Sequence, residues 1–126
     1  MSGPFIFVSQ SRVKEGKFDE FKRRNDELCE LVESKEPRVI AFNVYASEDG
    51  TEVSGVQVHP DAESMEFHMQ VLGEQIGHLV ELLDTYALAI YGEPSDDLLT
   101  MMKQMKDVPV TIRPSHLAGF LRPQPL

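Results

Sequence analysis

Two histidines, His68 and His78, fall in a stretch whose apolar residues recur with a helical period. Ten residues at 100° per residue leave them about 80° apart around the helix axis, so they do not form an i, i+4 metal-binding pair. His68 follows Phe67 and lies beside Met65 and Met69 on the apolar stripe. From there it can face a space between helix and sheet. A histidine so placed, with an ordinary pKa of ~6.5, can take a proton from a phenol near neutral pH. The alternative is a core histidine bonded to a backbone carbonyl or to Tyr86 or Tyr91. His78 has Glu74 one turn before it, a spacing suited to a surface pair.

The second set of chemistry-bearing residues interrupts apolar strands: Gln10, Asn43, Gln57 and His59. A buried amide needs partners, so these residues either line a pocket or occupy exposed strand faces. Asn43 shares its face with Val39, Ala41 and Tyr45, which points to a pocket or a subunit interface and makes it the candidate for orienting a substrate oxygen. Phe67, Tyr45, Tyr86 and Gln57 are the candidate substrate contacts. Gly55, Ala87 and Ala89 leave room for a ligand or for a facing sheet. Cys29 is the single cysteine, which excludes an internal disulfide and argues against a cysteine-based zinc site. It sits on an acidic helix without an adjacent base, a poor setting for a nucleophile.

The elements that must position these residues follow from periodicity. Residues 4–13 read as a strand, Lys17 onward as a helix with Phe18, Phe21, Leu28 and Val32 on one stripe, and Glu36-Pro37 as its stop. Residues 38–46 and 52–59 read as a hairpin around Glu48-Asp49-Gly50. Asp61 caps a second helix whose apolar face is Met65, Met69, Leu72, Ile76, Leu79, Val80 and Leu83. Gly73 and Gly77 inside it imply either close packing or a break. Residues 86–92 make a fourth strand, which completes the α+β, ferredoxin-like split βαβ order. Ser95-Asp96-Asp97 starts a third helix with Leu98, Met102 and Met105 as its apolar edge and Lys103 and Lys106 at its C-terminal end.

Two units result: residues 1–92 as the ferredoxin-like domain, and 93–126 as an appended helix and extended tail. The tail contains a strand-like VTI and enough apolar residues, Leu117 and Phe120 among them, to pack across a dimer. Helices cover one face of such a sheet, and Ile40, Phe42, Val44, Leu88 and Ile90 are expected to leave an apolar surface on the other, hence a homodimer.

At 126 residues the chain suits one compact domain with a real core. A net charge of −9 repels a phosphate backbone or an anionic membrane surface, so neither nucleic acid nor membrane is an expected partner. The N-terminus lacks a basic region and a long apolar run, and Glu81 and Asp84 interrupt the greasiest segment. The expected location is the cytoplasm.

The run Arg12-Val13-Lys14-Glu15-Gly16-Lys17-Phe18-Asp19-Glu20-Phe21, and later Glu63-Ser64-Met65-Glu66-Phe67-His68-Met69, resemble stretches of the antibiotic biosynthesis monooxygenase domain. The resemblance extends from about Pro4 to Gly92. It implies a dimeric α+β barrel, two ferredoxin-like sheets face to face, with a pocket between sheet and helices in each subunit. It also implies that no cofactor is needed, because cofactor-free oxygenation draws its reducing power from the substrate. The well-studied oxygenases of that family position an aromatic substrate with a tryptophan, and this chain has none. Haem-degrading relatives share a ten-residue spacing between a tryptophan and an iron-binding histidine, which would place His68 and His78 at those positions, with Gln10 the nearest amide to an expected first-strand asparagine. The expected function is a cofactor-independent monooxygenase acting on a small aromatic or quinol-type molecule, with His68 as base, Asn43 orienting an oxygen and no metal. The alternative is a non-catalytic dimeric barrel that binds a small ligand or serves a structural role; haem handling is the third.

Overall fold

The computed structural model describes residues 3–103 and 107–122. Met105 and Lys106 of the expected third helix lie outside them. The elements are β1 (Phe5–Val13), α1 (Phe18–Lys35), β2 (Ala41–Ala46), β3 (Glu52–His59), α2 (Ala62–Val80), β4 (Leu83–Tyr91), α3 (Asp96–Met102) and β5 (Val110–Arg113). The first six follow the ferredoxin-like alternation. Among the described residues the strands form one sheet in the order β2-β3-β1-β4-β5.

Local chemistry accounts for most boundaries. Asp61 caps α2 by accepting from the Ser64 amide at 2.9 Å, and Ser95 caps α3 by accepting from the Leu98 amide at 3.1 Å. In the β2–β3 turn Asp49 accepts from the Thr51 hydroxyl and amide and from the Ser47 hydroxyl. Those donors hold its carboxyl down at about 2. At the end of β4, Gly92 adopts φ +116°, and a Cβ there would stand 3.0 Å from the Pro4 carbonyl oxygen and 3.2 Å from the Phe5 Cα.

Three expectations change. Leu83 belongs to β4, not to the apolar face of α2, because the helix closes at Val80 and the Leu82 amide turns back to the Leu79 carbonyl. Gly73 and Gly77 are not sites of close packing, since a Cβ at either would meet nothing within 4 Å. The break is real but one residue earlier, at Leu72, whose φ −115° and ψ 18° kink the helix. The third concerns sheet parity. Phe42, Val44, Leu88 and Ile90 face the helices, with Phe42 opposite Gln57, Gln57 opposite Phe7 and Phe7 opposite Ile90 across the sheet. The open face instead carries Ile6, Val8, Val56, Val58, Ala41 and Ala89, because a strand's side chains alternate and a parity error of one residue exchanges the faces.

The extension adds β5 to the sheet, parallel to β4, with α3 as the crossover that a parallel pair requires. Leu98 and Met102 of α3 enter the core beside Phe5, Met65, Leu88 and Ile90. A second core cluster gathers Phe21, Leu28 and Val32 of α1 with Val53, Leu72, Leu79 and Leu82. Beyond β5 the His116 ring lies against Gly3 near the start of the chain, whereas Leu117 is 93% exposed and Phe120 77%. No described helix is long and apolar enough to cross a membrane.

Candidate functional site

The two core clusters do not meet everywhere. Between the helix-facing side of the sheet and α1 and α2 lies a cavity of about 150 Å³. Its floor is made of residues too small or too polar to interdigitate with the helices, namely Ser9, Ser11, Gly55 and Thr85, and its walls include Phe7, Phe42, Met65, Met69, Ile76 and Leu79. An apolar void of that size accommodates a ring-sized molecule.

His68 lines this cavity although it is only 2% exposed. Its Nδ1 stands 2.8 Å from Oε2 of Glu36, itself 3% exposed. When a neutral imidazole donates from Nδ1–H to the carboxylate, Nε2 is the nitrogen left with the lone pair, while the other Glu36 oxygen, Oε1, is buried without a partner among the described residues. The Phe42 ring is tilted against the imidazole at 5.7 Å between centroids. The partner of His68 is therefore Glu36, not a backbone carbonyl, Tyr86 or Tyr91.

A second buried network stands behind the first. His59, with 0% exposure, places Nε2 at 3.0 Å from Gln57 Oε1 and Nδ1 at 2.8 Å from Ser64 Oγ. An amide oxygen can only accept, so Nε2 carries the proton and the Ser64 hydroxyl donates to Nδ1. Burial, then the neighbouring His68, lowers the pKa of His59 to about 4, and it stays neutral. The two imidazoles are 6.1 Å apart between centroids. Gln57 accepts from His59 at Oε1 and is itself one of the residues that line the cavity.

The other sequence candidates are dispersed. Asn43 touches the cavity edge but is exposed, on the strand face away from Phe42 and Val44. Tyr45 is 63% exposed on that same open face. Tyr86 is also there, donating to Glu52 Oε1 at 2.8 Å beneath the Arg12 guanidinium, and the Glu52 bond raises its pKa. Phe67 borders an outer cleft with Glu36, Arg38, Ser64 and Glu66, not the cavity. His78 is exposed and does not line the cavity. Burial, with Asp26 and Glu33, raises the Cys29 pKa and keeps the thiol protonated. Among the described residues no group of three His, Cys, Asp or Glu side chains could hold a metal.

Sequence reading missed Glu36 and Asn25. Glu36 precedes Pro37 at a helix end, where an acidic residue is ordinarily solvated. Asn25 left a trace: it is the polar member of the stripe Phe21, Asn25, Leu28, Val32, and its side chain lines the cavity.

No protein-family model and no curated protein matches this sequence. Solved structures do. MupZ from Pseudomonas fluorescens superposes with a TM-score of 0.76 at 18% identity, over 97% of this chain and 91% of that one. SnoaB, a cofactor-independent oxygenase from Streptomyces nogalater, gives 0.61 at 13% identity, over 73% and 94%. An antibiotic biosynthesis monooxygenase gives 0.59 at 14% identity, over 68% and 94%. At 97% of this chain, the MupZ match takes in the added α3 and β5.

Proposed function

We propose that this chain, which has the ferredoxin-like fold of the antibiotic biosynthesis monooxygenases, is a cofactor-independent oxygenase of a small phenol or quinol-type molecule, working as a cytoplasmic homodimer. The observation that carries the reading is the Glu36–His68 pair in the wall of an apolar, ring-sized cavity. Glu36 holds the imidazole in the tautomer that presents Nε2 as the base, in the manner of an orienting carboxylate. His68 takes the hydroxyl proton at Nε2, and the Gln57 amide nitrogen donates to the resulting oxyanion, the orienting role first read onto Asn43. The apolar wall excludes water, which strengthens that donation.

Dioxygen then adds to the ring carbon ortho or para to the oxyanion, taking two electrons, and the resulting peroxide takes up the proton held on His68. Loss of the ring C–H proton with cleavage of the O–O bond releases water and leaves C=O, so phenol and dioxygen give quinone and water, four electrons in all and no external reductant. SnoaB, a cofactor-independent oxygenase of this fold, supports the reaction class. A second reading, a non-catalytic ligand-binding barrel, is favoured by the absence of tryptophan from the chain.

Oxygen uptake with a panel of quinols separates the two. Substrate-dependent consumption that His68→Ala reduces at least a hundredfold supports the oxygenase. Binding of quinols without oxygen consumption by the wild type establishes the binding barrel instead.

A further inference from the structure

The cavity has a polar region that the His68 chemistry does not use. Asn25 stands on the inward stripe of α1, and its Oδ1 is buried without a hydrogen-bond partner among the described residues. Among the described residues its amide nitrogen has only the Cys29 sulfur, at 4.0 Å. That is a weak acceptor at long range, so the amide is not held by the protein. Folded proteins pair nearly all buried carbonyl oxygens, and one left unpaired on a residue that lines a cavity, in an amide free to turn, marks a place where a donor is missing. Ser11 and Thr85 line the same cavity, with their hydroxyl oxygens 2.8 Å apart. Two hydroxyls share one hydrogen in that bond, which leaves the other free to donate.

The Asn25 region is separate from the His68 region. Glu36, which holds His68, follows Asn25 by eleven residues of α1 and its cap, about 16 Å of helix rise. The Phe21, Leu79 and Leu83 side chains that line the cavity are apolar, and among the described residues the lining contains no carboxylate, Lys or Arg.

We infer that Asn25, with the Ser11–Thr85 pair, forms a second hydrogen-bonding pole of the cavity that selects a neutral ligand carrying a hydroxyl at the end remote from His68. A hydroxyl fits both partners, since it donates to Oδ1 and accepts from the free Ser11 or Thr85 hydrogen. A charged group would be left unpaired there. The inference rests on the reading of this cavity as the small-molecule site, and it makes Asn25 a specificity residue.

Titration calorimetry with hydroquinone and with 2,6-dihydroxynaphthalene, each against its monomethyl ether, tests it on the full chain. At least one diol is expected to bind about tenfold more tightly than its ether, one buried hydrogen bond's worth of discrimination. Asn25→Leu, nearly isosteric, should erase that preference while retaining ether binding, and should melt at a higher temperature because the open carbonyl is gone. Thr85→Val should weaken the preference without the gain in melting temperature. Equal binding of diol and ether by the wild type, or a preference that survives Asn25→Leu, overturns the second pole and leaves the cavity reading intact. If no compound binds or perturbs the His68 ring resonances in 15N NMR, the pole and the cavity reading both fall.

Discussion

Glu36 and His68 are both buried, so their pairing is a matter of stability as well as chemistry. Removing one member of a buried hydrogen-bonded pair typically costs about 3–5 kcal/mol, because the other is left uncompensated. Glu36→Gln keeps the size but can present an NH2 group to Nδ1, which favours the opposite tautomer and takes the lone pair away from the cavity. We expect kcat for quinol-dependent oxygen uptake to fall at least tenfold with little change in KM. The tautomer change is checked directly by 15N correlation spectroscopy of the imidazole. His59 makes a different prediction. Its pKa is 6.5 when unfolded and about 4 in the fold, so between those values the unfolded chain binds a proton that the native state refuses. Its contribution is present above pH 6.5 and is lost as the pH falls toward 4, a change of about 3 kcal/mol at most. Urea unfolding at pH 7 and pH 4.5 should show that loss, and His59→Phe should flatten the difference whatever it does to the absolute stability.

At the scale of elements, the kink of α2 at Leu72 divides the helix into one segment carrying Met65, His68 and Met69 and another carrying Ile76, Leu79 and Val80, all of which line the cavity. Gly77 lies in the second segment, exposed, with open space where a Cβ would go and no positive φ. Its effect is therefore intrinsic to the helix backbone. Gly77→Ala should stabilise the protein by about 0.5–1 kcal/mol, a rise of a few degrees in Tm by calorimetry, with quinol binding unchanged. A lowered Tm would mean that the glycine serves a contact outside this chain. The helix itself was legible from its cap and its apolar period, because both are properties of neighbouring residues. The choice between packing and a break was not, since it depends on what lies opposite the glycines.

For the whole molecule, the extension divides into two parts with different physical roles. α3 and β5 complete the core and the sheet edge, whereas Leu117, Phe120 and Leu121 remain exposed on the single chain. Truncation after Gly92 removes Leu98 and Met102, each about a 2–5 kcal/mol core loss, and should give a protein that binds ANS or fails to fold. Truncation after Pro114 should keep the Tm of the dilute protein and weaken only self-association. The open face of the sheet, with Ile6, Val8, Val56 and Val58 adjacent across β1 and β3, is the expected dimer surface. Val56→Glu lies on that face and away from the core, so analytical ultracentrifugation should show a monomer with unaltered far-UV circular dichroism. A monomeric wild type at micromolar concentration removes the dimer from the proposal.

The strands, the helices, their caps and the ferredoxin-like order could be read from the chain because each depends on spacings of two to four residues. His68 could also be picked out, as the polar member of an apolar helical stripe. Three things were decided only by tertiary structure. Whether Phe42 and Val44 or Asn43 and Tyr45 turn inward is settled by the β3 and β1 partners, since both parities contain apolar residues. Whether the segment after α3 is a free strand-like stretch or a sheet edge depends on β4, about twenty residues earlier. Glu36 becomes the partner of His68 across 32 residues of sequence, and nothing local distinguishes that carboxylate from a solvated one at a helix end. Its meaning comes from burial, where a charge must have a partner and the partner is chosen by the fold.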